Sequence, residues 1–332
     1  MLSAQYGDYG LPPKQSSFVM HAAVARHYFS GGSFPIGGSS RIATTVDKVI
    51  ENAGGTILIS AEVDEVIIDK NKATGVKMKD GKIFSAKNII SGAGIMTTYD
   101  KLLPKQIVGK HQLKEQLKKV KRSVSHACLY IGLKGSPEEL KLPKTNYWIY
   151  PDKIDHDTAV DNYVKDLKSY FPVVYISFPS AKDPDWSNRY PGKSTIDIIT
   201  LLPYEPFDKW KNSNWMKRDE SYTAMKEKIA QRLLNELYKQ LPHLEGKIEH
   251  YELSTPLTTK HFINYQEGEI YGLDHTPKRF RQRFLKPKTP IKNFYLTGQD
   301  IVTAGVAAAL FSGVITTAAI TRKNIIKKVM QR

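Results

Sequence analysis

Cysteine is almost absent. Cys128 is the single one in 332 residues, so no intramolecular disulfide framework can form, and a reducing compartment is the expected setting. Clustered metal ligands are missing too: His21, His27, His126, His261 and His275 stand apart, none with a Glu or Cys at ligand spacing, and no metal site is expected. The longest apolar stretch, Gly305 to Ile320, is broken by Ser312, Thr316 and Thr317. It falls short of the roughly 20 residues a spanning helix needs and predicts a buried helix instead. The opening MLSAQYGDYGLPP lacks the basic start and apolar run of a secretory signal. Internal repeats, Walker loops and Ser, His and Asp constellations are missing as well. These absences predict a cytoplasmic protein, free or peripheral on a membrane surface.

Acidic residues are the scarcer charge, 33 against 49 Lys plus Arg, for a formal net charge of +16. An anionic partner follows: a nucleotide cofactor, a lipid surface or nucleic acid. No recognition motif accompanies the charge, so nucleic acid is not expected. Lys101 to Arg122 carries eight basic residues and one acidic, with Leu113, Leu117 and Val120 on one helical face, which predicts a helix lying on anionic lipid. The alternative is a solvated basic face. Lys278 to Lys288 adds six basic residues interleaved with Phe280, Phe284 and Leu285.

What is present is enough apolar residue, 41%, for a sizeable core. Phe18, Ala22, Ala25 and Phe29 recur at helical spacing, and GGSFPIGGSS then makes a loop. Ser39 or Ser40 is expected to cap a second helix that ends at Gly54 and Gly55. TILIS predicts a strand, and the residues after it a β-meander with turns at Asn71-Lys72 and Asp80-Gly81, then a closing strand before Gly92. Strand-like runs at 126–132, 173–178, 195–202 and 248–253, with a helix over about 219–241, predict an antiparallel sheet with helical cover. Cys128 falls in the first of these and reads as packing. NFYLTG is a short strand entering a Gly turn.

The closing motif carries chemistry. A strand ending at Leu296 delivers Gly298 and Asp300 to a sheet's carboxyl edge, where open α/β folds bind ligands. Asp300 can accept from sugar-like hydroxyls. Gly305, Val306 and Ala307 open the next helix, so their free amides and the positive dipole end suit an electron-rich acceptor. Taken alone, the motif equally fits an ordinary Gly turn with a capping Asp.

Three segments together, GGSFPIGGSSRIATTVDKVIENAGGTI, SAEVDEVIIDKNKATGVKMKDGKIFSAKNIISGAG and NFYLTGQDIVTAGVAAALFSGVITTAAI, resemble the FAD-dependent phytoene desaturase, carotenoid isomerase and retinol saturase family. GLPPKQSSFVMHAAVARHYFSGG and YGLDH are most similar to its retinol saturase branch. The resemblance implies an FAD-dependent oxidoreductase that transfers hydrogen at a carbon–carbon double bond of a hydrophobic polyene or isoprenoid, with NAD or NADP as a further electron carrier. It implies that Asp300 holds the ribityl chain, that Val63 holds the adenine through its backbone, and that the loop of Pro35, Gly37 and Gly38 passes the isoalloxazine ring. It also implies that Tyr271 and His275 line the substrate side. A plain core strand at Val63 and a simple interhelix turn at Gly37-Gly38 are the alternatives.

One family feature is missing. The strand, GxGxxG turn and helix that bind the pyrophosphate are not found ahead of Ser16, and the near match Gly92-Ala93-Gly94 is followed by Thr97 where glycine is needed. The expected fold is therefore α/β: a partial, Rossmann-like FAD/NAD(P)-binding domain from residues 1–97 and 288–332 without its first βαβ unit, and an inserted α+β substrate domain over 98–287. A truncated gene model, a split enzyme whose separate chain carries the other half, and a non-catalytic remnant that binds no FAD alone all fit this reading.

Overall fold

The computed structural model describes residues 3–331; Met1, Leu2 and Arg332, the outermost residues of the expected cofactor-binding part, lie outside the described residues. Helices α1 (Phe18–His27) and α2 (Ser40–Asn52) flank the Gly/Pro loop. Gly54 and Gly55 close α2 as expected: their amides donate to the Glu51 and Ile50 carbonyls, both at 2.9 Å, which satisfies two of the orphan acceptors at the helix end. The expected serine cap is not made. Ser39 has a helical backbone and no capping bond, and a side chain reaches the first-turn amides only from an extended residue.

The strand expected at TILIS does not form either. Ile57, Leu58 and Ile59 are exposed, Ile59 to 87%, and they belong to none of the three sheets. A strand needs a neighbour for its amides and carbonyls, and the described residues place none beside this one. The meander does form, as β1 (Val63–Asp69), β2 (Lys72–Met78) and β3 (Ile83–Ser85) in antiparallel order. Its first turn sits one residue earlier than expected, with Lys70 and Asn71 both left-handed and Asp69 opposite Lys72. Strand β4 (Ile89–Ser91) leaves the meander and pairs in parallel with the C-terminal strand Phe294–Leu296.

The basic stretch after β4 folds as α3 (Lys105–Lys110) and α4 (Leu113–Leu117). Leu113, Leu117 and Val120 are buried in one core with Val66, Leu273 and Phe294. Their apolar face is therefore already covered and is not free to enter a lipid layer, while the lysines around it are exposed. Phe284 and Leu285 pack on the same core.

The five-stranded sheet is antiparallel throughout. It is built from β5 (His126–Lys134), β6 (Tyr147–Ile149), β7 (Val174–Ser177), β8 (Lys193–Leu201) and β9 (Ile248–Ser254), in the order β6-β7-β8-β5-β9. Between β8 and β9 runs α5 (Glu220–Gln240), capped by Asp219, whose carboxylate accepts from the Tyr222 amide at 3.0 Å. Alternation sets the two faces. Ala127, Leu129, Ile131 and Leu133 share a core with Ile196, Ile198 and the α5 residues Leu233, Leu234 and Leu237. On the opposite face, Trp148, Tyr175, Ile199 and Cys128 form one cross-strand row, which leaves Cys128 buried as packing. Tyr6, Tyr9 and Met20 pack with Val173 and Leu201, so the N-terminal stretch lies with this sheet.

After β9 come α6 (Pro256–Ile263), β10 (Phe294–Leu296) and α7 (Val306–Thr321). The expectation of a buried apolar helix at α7 is reversed. Its two buried residues are Ser312 and Thr316, while Val306, Leu310 and Phe311 are exposed. The polar pair faces β10 because it has bonds to make there. The Thr316 hydroxyl donates to the Leu296 carbonyl at 3.0 Å, and Ser312 Oγ accepts from the Gly298 amide at 2.7 Å.

Candidate functional site

Ser312 and Thr316 fold α7 back over the end of β10, so the helix's first turn and the Gly298 turn come together. Asp300 follows that turn and is 4% exposed. Its two oxygens accept from backbone amides, Oδ2 from Ile95 at 2.7 Å and Oδ1 from Leu273 at 3.2 Å. One carboxylate thus ties the turn after β4 and the YGLDH segment to the Gly298 turn. Burial pushes its carboxyl upward, against those two amides and the nearby Arg279 guanidinium.

Arg279 is the hub behind this turn. It is 2% exposed, and its guanidinium donates to the carbonyls of Leu273 and Gln299 at 2.8 Å, to that of Asp300 at 3.3 Å, and to His275 Nε2 at 2.9 Å. Burial lowers it to about 10, so it stays cationic at neutral pH. His275 Nε2 also accepts the Ala304 amide at 2.9 Å. With two donors aimed at Nε2, the imidazole proton sits on Nδ1. Burial and the Arg279 charge push His275 down to about 3, and it is neutral at any working pH. The expectation that His275 lines the substrate side is therefore corrected: it is fully buried and holds the residue before Gly305 in place.

In front of this framework lies a cleft of about 620 Å³, lined by α1 (Met20, Val24), Tyr28, Tyr271 and the head of α7 from Gly305 to Ala308. The first bond within α7 runs from the Ala309 amide to the Gly305 carbonyl at 3.0 Å, so the amides of residues 306–308 precede it and are free of helical partners. Gly305 has φ +99°, and a Cβ built on it meets nothing within 4 Å. Tyr271 and Asp8 line this cleft and also a smaller pocket of about 150 Å³ against Trp148, Tyr175 and Ile199. The cleft thus continues as an aromatic slot beneath the open face of the sheet.

Of the residues singled out from sequence, Gly298, Asp300, Gly305, Val306 and Ala307 share one turn and helix head, and Tyr271 joins them in the cleft. Gly37, Gly38 and Val63 do not line it. The Gly37 amide donates to Asp183 Oδ1 at 2.9 Å, which fastens its loop to the 183–189 segment. Val63 opens β1 opposite Met78, half-buried.

Asp8 and Arg279 escaped sequence reading. Asp8 Oδ2 is buried without a hydrogen-bond partner, and burial pushes the carboxyl up to about 6 despite help from the Tyr28 hydroxyl and nearby His27. Its protonated form is favoured by folding, so the stability it removes is absent below the ordinary carboxylate value and grows as pH rises to about 6. The full penalty is about 3 kcal/mol. Urea unfolding of Asp8→Asn and wild type from pH 4 to 7.5 should show the variant gaining on the wild type as pH rises, with a plateau above pH 6. A difference independent of pH would contradict this.

Residues 4–321 match the family described as flavin containing amine oxidoreductase. The chain is 36% identical to an all-trans-retinol 13,14-reductase from Danio rerio, over 98% of this chain and 55% of that protein. It is 30% identical to a chloroplastic prolycopene isomerase from Arabidopsis thaliana, over 87% of this chain and 45% of that protein. Among solved structures, putrescine oxidase bound to putrescine shares the fold at a TM-score of 0.53 and 14% identity, over 87% of this chain and 54% of that one. The chain spans about half the length of the curated relatives it matches. No helix among the described residues is long and apolar enough to cross a membrane.

Proposed function

From the premise that the chain belongs to the flavin-containing amine oxidoreductase family, we propose that it supplies the ring-end portion of an FAD-dependent oxidoreductase acting at a carbon–carbon double bond of a hydrophobic polyene. The names of its relatives support that substrate class, as a retinol reduced or a carotenoid isomerised. FAD, when bound, supplies hydride exchange at its ring, and NAD or NADP would serve as its electron partner.

The observation that carries this reading is the head of α7. Three free amides and a positive dipole end open onto a cleft, and Gly305 leaves space for a ring to approach the backbone. That arrangement fits the electron-rich pyrimidine edge of a flavin. Asp300 is buried with both oxygens taken by the Ile95 and Leu273 amides, so in place of accepting from the ribityl chain itself it fixes the turn that would meet that chain. Arg279 and His275 hold Ala304 so that the amides after it keep their aim. The slot between Tyr271, Trp148, Tyr175 and Ile199 would take the apolar substrate and exclude water.

The phosphate end fits differently. The described parallel sheet has two strands, and the Gly92-Ala93-Gly94 turn after β4 leads only into the three-residue helix Ile95–Thr97. Ile42, Val46 and Val49 of α2, residues 57–59 and Ile90 of β4 are exposed apolar side chains, more than a lone domain usually shows in one region of its sequence. We read them as the surface on which the remaining half of the flavoprotein fold sits, within one polypeptide or as a separate chain.

Two preparations test this. The 332-residue chain purified by itself should retain no stoichiometric flavin, and the same chain coexpressed with the dinucleotide-binding half of a relative should copurify with it, yellow and able to reduce or isomerise a polyene. Flavin retained at one equivalent by the lone chain would contradict the division of the site, and a colourless complex would contradict the flavin assignment.

A further inference from the structure

A second cleft, of about 670 Å³, lies between residues 60–62 before β1, Lys79 and Lys101 on one side, and the Lys211–Arg218 stretch with α6 on the other. It shares no lining residue with the cleft at the head of α7. Its walls carry Lys79, Lys101, Lys211, Arg218 and Lys260 against a single carboxylate, Glu62. Two of these cations are already neutralised: Lys79 pairs with Glu62 at 2.6 Å, and Lys211 with Asp208 at 2.9 Å.

The other three are not. Among the described residues no carboxylate lies within ion-pair distance of Lys101, Lys260 or Arg218, and each is held by neutral groups. Lys101 Nζ donates to Asn264 Oδ1 at 3.4 Å, and Lys260 Nζ to the Lys211 carbonyl at 3.3 Å. Arg218 donates to Ser213 Oγ at 3.1 Å and to the Tyr222 hydroxyl at 3.4 Å, with its guanidinium 5.7 Å from the Trp215 ring centre. Long, neutral contacts are weak restraints on ammonium groups that repel one another. Partial burial, and then the charge of Lys260, hold Lys101 below the usual lysine range.

We propose that this cleft binds a phosphate-bearing anion, with Lys101, Lys260 and Arg218 as its ligands. The physical case is that of a concave wall with three uncompensated cations and almost no negative charge. Such a wall concentrates anions, and its Arg and Lys donors are those that hold phosphate oxygens most strongly. Phe262 and Ile263, at the rim, are 67% and 60% exposed. The phosphate is therefore either that of a soluble metabolite or that of an anionic lipid whose acyl layer receives those two side chains.

Calorimetric titration of the purified chain with inorganic diphosphate should show saturable binding with a Kd below about 1 mM. Lys101→Ala/Lys260→Ala should weaken it at least tenfold. Glu62→Gln, which removes the carboxylate and frees Lys79, should tighten it several-fold; a merely structural role for these residues would not produce that gain. Lys286→Ala/Lys288→Ala, from another basic segment, should change nothing, and thermal melts check that each variant folds. Cosedimentation with phosphatidylserine vesicles separates the sources. Vesicle binding lost in Lys101→Ala/Lys260→Ala, where free diphosphate fails to saturate the wild type, assigns the lipid headgroup. Diphosphate binding without vesicle binding assigns the soluble ligand. If neither probe binds, or if Lys286→Ala/Lys288→Ala loses as much as the cleft pair, the proposal is overturned.

Discussion

Gly272→Ala is expected to destabilise the protein by about 3–5 kcal/mol. Gly272 has φ +66°, and a Cβ there would stand 2.1 Å from Asp300 Oδ1. The left-handed backbone alone costs an alanine about 1 kcal/mol. The larger part is steric. Asp300 cannot step aside without releasing the Ile95 and Leu273 amides, each a buried donor worth about 1–3 kcal/mol when left unpaired. Gly246→Ala separates the two contributions, because Gly246 has φ +75° with nothing within 4 Å of its added Cβ. Urea unfolding should show a loss of about 1 kcal/mol at Gly246 and several times that at Gly272. Equal losses would mean that Asp300 is not fixed in the way its bonds indicate.

Arg279→Met should cost about 3–5 kcal/mol, comparable to breaking a buried ion pair from one side. Methionine keeps the apolar stem's volume but leaves the Leu273 and Asp300 carbonyls without their donor and takes one of two donors from the Gln299 carbonyl and from His275 Nε2. Arg279→Lys keeps the charge and loses the fork that reaches several acceptors at once, so it should recover part of the loss. A second readout follows from electrostatics. The guanidinium charge helps to hold His275 low, so removing it should raise the imidazole's titration in NMR. An unchanged His275 titration would place Arg279 outside its field.

The elements that alternate or repeat were readable from residues alone: four of the five strands of the antiparallel sheet, though not the three-residue β6, together with α5 and the meander. Each is stabilised by neighbours close in the chain or by a pattern repeated along it. TILIS reads as a strand from composition and is none here, because pairing depends on a neighbour that composition does not contain. At α7 the apolar letters suggested burial, yet the two hydroxyls that bond β10 decide which side faces inward. The Gly298–Ala307 site was visible because turn and helix start are local signals. Arg279 was hidden among six basic residues of similar appearance, and Asp8 in a short polar opening, since burial distinguishes them and burial is tertiary.

The most direct measurement is an amide NMR titration of the isolated chain with FAD at millimolar concentration, set against ADP. Saturable shifts should gather at Gly298, Gly305, Val306, Ala307 and Ala308 with FAD and be missing there with ADP, which shares the adenosine diphosphate end without the ring. Shifts at these amides that ADP reproduces, or FAD shifts that bypass the head of α7, would show that the flavin ring is not what this helix receives.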